Sequence, residues 1–301
     1  MTTFDLTKIA SQKGKTAIVT GANTGIGFET AQALVEKNAH VIMACRNLQK
    51  AQVAKANILT KFPKASIEMI QLDLNSLQSV RDFVTEFSKN HQKLDLLINN
   101  AGLMIPPLMR TKDGFESQLG VNYLGHFLLT GLLLPVLEKG ARVISLSSIA
   151  HRNAQINFKD LNSEKSYSRF KAYGQSKLAC LMFAYELDRR LKKKGSTVKS
   201  IAAHPGVSNT ELARYVPKVF YFLLYPLFMM MTQSPENAAL PSLYGALVED
   251  LKGGEYIGPT SRNEMKGKPG IVGSEPQSHD EEAAQKLWEV SEELTNIHYL
   301  S

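Results

Sequence analysis

Short continuous runs of apolar residues alternate with longer amphipathic stretches along this chain of 301 residues. Apolar runs of this kind are typical of strands that are buried on both faces of a parallel sheet. Strands are therefore predicted at 16–20, 40–45, 66–72, 94–99, 141–147 and 197–203, with a short seventh strand at 255–258. The stretches between them carry apolar residues at helical spacing, so the pattern favours repeated strand–helix–strand units.

Helices are predicted between the strands and after the last of them. Their bounds are about 26–37, 48–61, 115–138, 168–194 and 280–295, and one more begins at a cap on Asn75 or Ser76. Because crossovers between parallel strands are right-handed, these elements predict an α/β fold with a doubly wound parallel sheet, the Rossmann fold. No linker divides the chain, so we expect a single domain over residues 1–301, with a surface loop over 261–276.

The composition is that of an ordinary soluble globule, with 44% hydrophobic and 21% charged residues. Two cysteines, Cys45 and Cys180, cannot form a disulfide framework, which favours a reduced, cytoplasmic compartment. No cluster of Cys and His has metal-ligand spacing, so we expect no metal site. Residues 1–15 lack the apolar core of a secretory signal. The apolar run 219–231 contains Pro226 and is shorter than the roughly 20 residues of a membrane span, so no transmembrane segment is expected.

The net charge of the chain is +7 at pH 7. A nucleic-acid-binding surface would concentrate this charge in a stripe with interleaved aromatic residues. The densest cluster instead lies at the predicted carboxyl end of a helix, where cations complement the helix dipole. Its members are Arg189, Arg190, Lys192, Lys193 and Lys194. We therefore expect no nucleic-acid partner, and the positive excess favours attraction of an anionic cofactor.

A glycine-rich segment follows the first predicted strand directly. Its glycines have the spacing G-x-x-x-G-x-G, and the candidate cofactor contacts are Gly21, Asn23, Thr24, Gly25, Ile26 and Gly27. Glycines at such a junction allow a tight turn and a close approach of the backbone to a phosphate at a helix N-terminus. The segment predicts a dinucleotide site; the alternative is an ordinary strand-to-helix turn.

The residue after the second strand distinguishes the two nicotinamide dinucleotides. NAD is recognised there by an acidic side chain that holds the ribose 2′-hydroxyl. This chain has Arg46, whose guanidinium can pair with a 2′-phosphate and stack on adenine. NADP(H) is therefore the predicted cofactor, and the alternative is that Arg46 only caps the strand end.

Two further strand ends carry candidate cofactor contacts. Asp73 and Leu74 follow the third strand, where a carboxylate can either meet the adenine amine or cap a helix. After the fourth strand, Asn99, Ala101 and Gly102 belong to a segment of two amides followed by small residues. Such a segment suits a wall where the backbone touches a ligand, or a structural turn in which asparagine bonds to the backbone.

Tyr173 and Lys177 lie four residues apart in a predicted helix, so their side chains share one face. A nearby ammonium favours the phenolate and is expected to lower the tyrosine pKa from its reference of about 10. A phenol tuned in this way can give a proton to a carbonyl oxygen, or take one from an alcohol, near neutral pH. A lone Tyr-x-x-x-Lys pair is usually solvated helix surface, and the combination with the glycine-rich segment favours the catalytic interpretation.

These signals fall in one order along the chain: Thr20-Gly-x-x-x-Gly-x-Gly27, Asp73, Asn99-Asn-Ala-Gly102, Asn122, Ser148, Tyr173-x-x-x-Lys177 and His204-Pro205-Gly206. In this order and spacing the chain resembles the short-chain dehydrogenase/reductase family over about residues 14–260. The resemblance implies a Rossmann domain that transfers hydride to or from a bound nicotinamide. The resemblance also implies roles for individual residues, an assembly and a substrate class.

Tyr173 matches the general acid/base of the family, and Lys177 matches the lysine that lowers the tyrosine pKa and holds the nicotinamide ribose. Ser148 matches the serine that hydrogen-bonds the reacting oxygen. Ser147 is its neighbour, but Ser148 has the usual spacing to the tyrosine, and Ser147 is interpreted as a buried hydroxyl at the strand end. Asn122 matches the helix asparagine, which holds a water that links the lysine to solvent.

Pro205, Gly206 and Thr210 match residues on the nicotinamide side of the cofactor. His126 and His204 lie close to the motifs, and both are interpreted as structural histidines with satisfied hydrogen bonds. Family members commonly dimerise through their two long helices, here predicted at 115–138 and 168–194, so a homodimer is a possible assembly.

Three segments, 44–47, 121–127 and 146–151, look like retinol dehydrogenase-type and protochlorophyllide reductase-like members, which act on apolar carbonyls or conjugated rings. The segment 207–234 matches a helical substrate lid. It is rich in Phe, Tyr, Leu and Met between residues 211 and 231, which suits a bulky lipophilic substrate. The alternatives for this segment are core packing, a homodimer contact or a peripheral membrane contact.

We therefore expect an NADP(H)-dependent oxidoreductase that acts on a lipophilic ketone, aldehyde or secondary alcohol, in the reductive direction. One alternative is a non-catalytic protein of the same fold that senses a dinucleotide or acts as a scaffold, because a fold alone does not establish activity. The other is a reductase of a conjugated carbon–carbon double bond.

Overall fold

The computed structural model describes residues 4–207, 232–261 and 263–301. These residues form one eight-stranded sheet with the strand order β3-β2-β1-β4-β5-β6-β7-β8. The strands are β1 Thr16–Thr20, β2 His40–Cys45, β3 Ile67–Gln71, β4 Leu94–Asn99, β5 Leu137–Leu146, β6 Lys199–Ala203, β7 Tyr256–Pro259 and β8 Pro269–Ile271. β1 to β7 pair in parallel and β8 pairs with β7 in antiparallel fashion. The doubly wound α/β fold predicted from the sequence is confirmed.

Helices cover both faces of the sheet. The α-helices of the described residues are α1 Gly25–Glu36, α2 Leu48–Lys61, α3 Leu77–Asn90, α4 Gly125–Leu133, α5 Arg169–Lys193, α6 Pro235–Leu247 and α7 Glu281–Thr295. Apolar residues of α1, α2 and α6 pack into one buried cluster, and those of α3, α4, α5 and α7 pack into another. The strands are apolar on both faces because they contribute to both clusters, as expected for a covered parallel sheet.

The helix predicted at 115–138 is shorter and differs in type. A π-helical turn, Leu119–Leu124, leads into α4, and a 3₁₀ turn, Leu134–Val136, ends it. Pro135 lies in that last turn, where its missing N–H and fixed φ do not allow the helix to continue. The chain therefore enters β5 at Leu137, earlier than the predicted strand start.

One α-helix and one strand of the described residues were not predicted. The helix α6 has recognisable start signals, because the Ser234 hydroxyl accepts the N–H of Asn237 and Pro235 lies in the first turn. Pro241 inside the helix obscured the pattern. The strand β8 has three residues and lies in the segment predicted as a loop, and a strand that short shows no periodicity. Of the predicted lid at 207–234, residues 208–231 lie outside the described residues.

The helix α7 packs over α4 and α5, which cover one face of the sheet. Trp288 is 1% exposed and its ring lies 5.0 Å from that of Phe127 and 5.9 Å from that of Phe183. The hydroxyls of Tyr123 and Ser291 lie 2.7 Å apart. The surface that the resemblance assigns to dimerisation is therefore covered here by the chain itself, and the homodimer stays a prediction.

Among the described residues, Leu119–Val136 is long and apolar enough to cross a membrane, with a mean hydropathy of 1.5. In this fold 78% of that stretch is buried. A core helix of a soluble domain has the same composition, so this stretch is weak evidence for a membrane span.

Candidate active site

The predicted site residues gather at the carboxyl ends of the central strands. The sheet order changes direction between β1 and β4, since β1 is followed on one side by β2 and on the other by β4. In doubly wound sheets this switch point opens a crevice in which ligands bind. The loops after β1, β4 and β5 meet there with the middle of α5.

The glycine-rich segment forms the turn from β1 into α1. Gly21 and Gly25 have φ angles of +68° and +55°, which favour glycine. A Cβ on Gly27 would collide with the carbonyl oxygen of Gly21 and with the side-chain nitrogen of Asn100. The helix starts at Gly25, and the side chain of its cap, Thr24, makes no capping hydrogen bond. Within the described part of the chain, the first turn of α1 is therefore left without a side-chain cap, directly after the carboxyl end of β1.

Ile26 and the backbone amide of Asn23 contact buried groups below this turn. Ile26 is 6% exposed and belongs to the cluster under α1. The backbone amides of Ala22 and Asn23 hydrogen-bond the thiol of Cys45, yet burial dominates and raises the pKa of Cys45 to about 11. Cys45 and Cys180 are both free and buried.

The hydroxyl of Thr20, at the end of β1, contacts both the loop after β4 and the helix α4. It accepts hydrogen bonds of 2.9 Å from the backbone N–H groups of Asn100 and Ala101. It also lies 2.9 Å from Nε2 of His126, and Nδ1 of the same ring lies 2.9 Å from the carbonyl oxygen of Asn122. Both ring nitrogens of His126 thus have partners, in agreement with a structural role. Burial lowers the pKa of His126 to about 4, so the ring is neutral at physiological pH.

Tyr173 and Lys177 are both buried in α5, at 7% and 6% exposure. The Nζ atom of Lys177 lies 5.9 Å from the centroid of the Tyr173 ring and donates a 3.0 Å hydrogen bond to the carbonyl oxygen of Leu146. A Cβ on Gly102 would lie 3.5 Å from the same Nζ. The predicted pair is therefore brought together, at the end of β5 and against the loop after β4.

The two candidate serines have different environments. Ser147 is buried, and its hydroxyl donates a 2.7 Å hydrogen bond to the carbonyl oxygen of Lys177. Ser148 caps the 3₁₀ turn Ile149–Asn153, where its Oγ accepts the N–H of Ala150 at 3.2 Å. A Cβ on Gly174 would lie 3.1 Å from the carbonyl oxygen of Ala150, so α5 contacts this turn one residue after Tyr173.

Asn122 lies in the π-helical turn and is 2% exposed. Its Oδ1 accepts the N–H of Leu103 at 2.6 Å, and its Nδ2 donates to the carbonyl oxygen of Leu103 and to the hydroxyl of Ser176. The side chain thus fixes the backbone just after Gly102. π-helical turns are rare and frequently mark functional sites.

The ends of β2 and β3 contain the predicted adenosine contacts. Arg46 is exposed immediately after β2. Asp73 accepts the N–H of Asn75 at 3.1 Å and lies 3.8 Å from Nζ of Lys112, so its carboxylate supports the turn before α3. The cap of α3 is Ser76. Leu74 is 6% exposed and packs into the core below this turn.

Asn99, the last residue of β4, is only partly satisfied by hydrogen bonds. Asn99 is buried and donates a 3.0 Å hydrogen bond to the hydroxyl of Thr130. Its Oδ1 and the hydroxyl of Ser145 on the neighbouring strand are buried without a hydrogen-bond partner among the described residues. Both line a cavity of about 10 Å³. A cavity of that size is about large enough for one water molecule.

The loop after β6 begins at the same edge of the sheet, because β6 runs parallel to β5. Gly206 has a φ of +68°, and a Cβ there would collide with the carbonyl oxygen of Met265. Gln233 donates a 2.6 Å hydrogen bond from its Nε2 to the carbonyl oxygen of Pro205. Pro205 and Gly206 are thus held in place, and Thr210 lies outside the described residues.

A charged link beside the Ser148 turn was not predicted from the sequence. Glu264 lies 2.8 Å from the guanidinium of Arg152 and 3.2 Å from Nε2 of His204. Despite partial burial, these partners hold the pKa of Glu264 below its usual range. Gln277 donates a 2.8 Å hydrogen bond to the carbonyl oxygen of Arg152 from beyond β8. The only sequence signal was Glu264 in the loop after β7, and nothing in its spacing predicted these partners.

Comparisons with known proteins agree with this geometry. Residues 15–218 match the family model for short chain dehydrogenase. Mouse retinol dehydrogenase 13 is 43% identical over 297 residues, which cover 96% of this chain and 86% of the relative. Human retinol dehydrogenase 12 is 41% identical and covers 95% of this chain and 88% of the relative.

Solved structures show the same fold. A putative uncharacterized protein from Mycobacterium paratuberculosis has a TM-score of 0.84 at 39% identity, with 99% of both chains covered. The Pseudomonas aeruginosa RhlG/NADP active-site complex has a TM-score of 0.64 at 24% identity, covering 82% of this chain and 94% of that one, and shows the fold alone. The chain therefore belongs to the short chain dehydrogenase family and is a retinol dehydrogenase-like oxidoreductase that depends on a nicotinamide dinucleotide.

Proposed function

We propose that this protein is an NADP(H)-dependent oxidoreductase that interconverts a lipophilic ketone or aldehyde and its alcohol, working in the reductive direction. The observation that carries the proposal is the buried Tyr173–Lys177 pair beside Gly102 at the switch point of the sheet. A buried cation and a buried phenol at this distance are unusual unless the site uses them, because burial of a charge is costly.

The residues of the crevice fit a dinucleotide. The uncapped first turn of α1 offers N–H groups and a helix dipole to a pyrophosphate. Arg46 is exposed directly after β2, the chain position at which this fold reads the adenosine ribose, and no acidic residue occupies position 46. These two features favour NADP(H) over NAD(H), since a 2′-phosphate gains a charge-assisted partner.

The protein's own groups supply the acid–base part of the reaction. Bound NADPH would supply the hydride. Tyr173 donates its phenolic proton to the carbonyl oxygen of the substrate, and the ammonium of Lys177 favours the phenolate that is left. The hydroxyl of Ser148, at the start of its 3₁₀ turn, is the candidate second hydrogen-bond donor to the same oxygen. Asn122 holds the Leu103 backbone, and thereby the floor of the site, in position.

The substrate class is inferred from two observations. The relatives at about 40% identity are named for retinol, a long apolar alcohol. The sequence between residues 211 and 231 is rich in Phe, Tyr, Leu and Met, which suits a lid over an apolar ligand. We propose a reduced cytoplasmic setting from the two free, buried cysteines.

Replacement of the acid tests the proposal directly. Tyr173→Phe removes the proton and keeps the ring, so kcat for reduction of retinal or a long-chain aldehyde by NADPH should fall by about 100-fold to 10,000-fold. Tyr185→Phe is the matched control, because that hydroxyl lies on the same helix and contacts Ser274 outside the site. NADPH fluorescence should show unchanged cofactor binding in both variants.

The contrary outcomes are also informative. Full turnover by Tyr173→Phe with intact cofactor binding would overturn the catalytic assignment. A wild-type protein that binds NADPH but consumes none with a panel of carbonyls would favour a dinucleotide-sensing role. Activity confined to conjugated double bonds would favour the other alternative.

A further inference from the structure

Two histidines and a glutamate that lie far apart in sequence meet at the amino end of the sheet. His40 is the first residue of β2, Glu68 lies in the neighbouring strand β3, and His91 follows the last residue of α3. Ile42 pairs with Glu68, and His40 shares a face with Ile42 because side chains alternate along a strand. The three side chains therefore gather under the carboxyl end of α3.

The ligand atoms of this cluster converge. Nε2 of His91 lies 2.8 Å from Oε2 of Glu68, and Nε2 of His40 lies 3.7 Å from the same oxygen. All three ligand atoms are within 4.8 Å of one another. Three ligands of one zinc ion must approach each other to roughly this degree, because Zn–N and Zn–O bonds are about 2.0–2.2 Å long.

The arrangement of His40 leaves one ligand position open. Its Nδ1 lies 2.7 Å from the hydroxyl of Ser66, while its Nε2 is buried and has no hydrogen-bond partner among the described residues. An imidazole whose Nδ1 is held by an oxygen and whose Nε2 points at a carboxylate has the geometry of a metal ligand with its supporting partner.

The three side chains are held by ring stacking and are partly exposed. The ring of His91 stacks between Phe87, at 5.0 Å, and His40, at 5.3 Å. The side chains of His40, Glu68 and His91 are 27%, 33% and 15% exposed, so the cluster lies close to solvent although Nε2 of His40 is itself buried. We propose that His40, Glu68 and His91 form a binding site for one Zn²⁺ ion, at the end of the sheet opposite the active site.

Both imidazoles bind the ion as neutral rings through Nε2, Glu68 binds through a carboxylate oxygen, and water takes the fourth position. Two imidazoles and one carboxylate form a ligand set that zinc prefers over calcium or magnesium. The ion links β2, β3 and α3, so its effect is on the stability of this half of the sheet. Because the sequence separates the three ligands widely, their spacing gave no sign of a metal site.

The test uses full-length protein without a histidine tag, stripped with EDTA and titrated with ZnCl₂ in competition with a chromogenic chelator. We expect one Zn²⁺ per chain, and at least tenfold weaker binding for each of Glu68→Gln, His40→Gln and His91→Gln. His298→Gln is the matched control, because His298 also lies near a glutamate, at 3.4 Å from Glu292, and is 71% exposed, but the described residues offer it no third ligand. It should bind zinc like the wild type.

Two further measurements do not depend on the folding of a variant. Zinc should shift the ring-proton NMR signals of His40 and His91 in the wild type, and Co²⁺ should give the strong visible bands of a tetrahedral site. Absence of zinc binding by the wild type overturns the proposal, as does wild-type affinity in Glu68→Gln and His91→Gln. In either case the cluster is only a hydrogen-bonded histidine–glutamate group. None of these readouts depends on enzymatic activity.

Discussion

The two ends of the same sheet hold their polar side chains in different ways. At the carboxyl end, buried polar groups such as Thr20 and Asn122 are bonded to backbone groups of neighbouring loops. At the amino end, His40 and Glu68 lie on adjacent strands and contact other side chains, and Nε2 of His40 has no hydrogen-bond partner in the part of the chain that the structure describes. At the carboxyl end, hydrogen bonds to the backbone hold the candidate active site in place before a ligand binds. At the amino end, only side chains converge, and a bound ion would connect them.

This difference explains what could be predicted from sequence. Gly21 and Arg46 directly follow strands, and Ser148 lies two residues after β5, so their places at one edge of the sheet could be predicted from the strand pattern. The closeness of Tyr173 and Lys177 could also be predicted, since a helix brings positions four apart together. The functional roles of these residues stay predictions.

Contacts between distant segments could not be predicted. Glu264 reaches Arg152 across the sheet, and His40 reaches His91 through strand register and the end of α3, and neither relation has a sequence period. The π-helical turn at Leu119–Leu124 was also missed, because one extra residue per turn leaves almost no trace in an apolar segment. Positions that local geometry determines could therefore be predicted, and contacts that depend on the tertiary structure could not.

The largest expected effect is on catalysis at the carboxyl end of the sheet. Lys177→Met removes the buried cation beside Tyr173 and keeps much of the side-chain volume, so kcat/KM should fall by about 100-fold or more. Its pH–rate profile should also shift upward, because the phenolate loses its favouring charge. Lys171→Met, exposed on the same helix, is the control. A variant with near-normal turnover would mean that the pair is structural.

The second effect concerns His126, whose pKa of about 4 lies below its unfolded value of about 6.5. The unfolded chain then binds more protons, so stability is full above the unfolded pKa and is lost as pH falls toward 4. Between pH 7 and pH 5 this group alone should cost about 2 kcal/mol of unfolding free energy.

Urea denaturation of the wild type and His126→Gln at both pH values measures this difference. The other histidines contribute to both proteins and cancel. Equal losses on acidification would show that His126 is not the neutral, buried link between Thr20 and Asn122.

A smaller effect is expected on the preference for NADPH over NADH. Arg46→Ala should raise KM for NADPH by about tenfold or more and leave KM for NADH nearly unchanged, because a charge-assisted hydrogen bond is worth about 1.5–3 kcal/mol. Lys50→Ala, an exposed cation in α2, is the control for general electrostatic attraction. If NADPH and NADH respond alike to loss of Arg46, the preference for NADP(H) lies elsewhere.

The smallest expected effect is on zinc affinity at the amino end of the sheet. Ser66→Ala removes the hydroxyl that holds Nδ1 of His40 at 2.7 Å, without touching a proposed zinc ligand. Loss of such a supporting partner typically weakens metal affinity by about 10-fold to 100-fold, and we expect the lower value because Ser66 is a single neutral partner. Ser88→Ala, exposed on α3, should leave zinc affinity unchanged. An unaltered affinity in Ser66→Ala would show that ring orientation is set by stacking on His91.

The placement of Trp288 and Tyr299 has a consequence for biosynthesis. Tyr299 donates a 3.1 Å hydrogen bond to the carbonyl oxygen of Phe127, and a Cβ on Gly131 would collide with its ring. The hydrophobic layer over α4 and α5 thus lacks its outer wall until residues 288–299 have left the ribosome. A nascent chain that already contains every motif of the active site would still expose aromatic surface, and it is at that stage that chaperones would be needed.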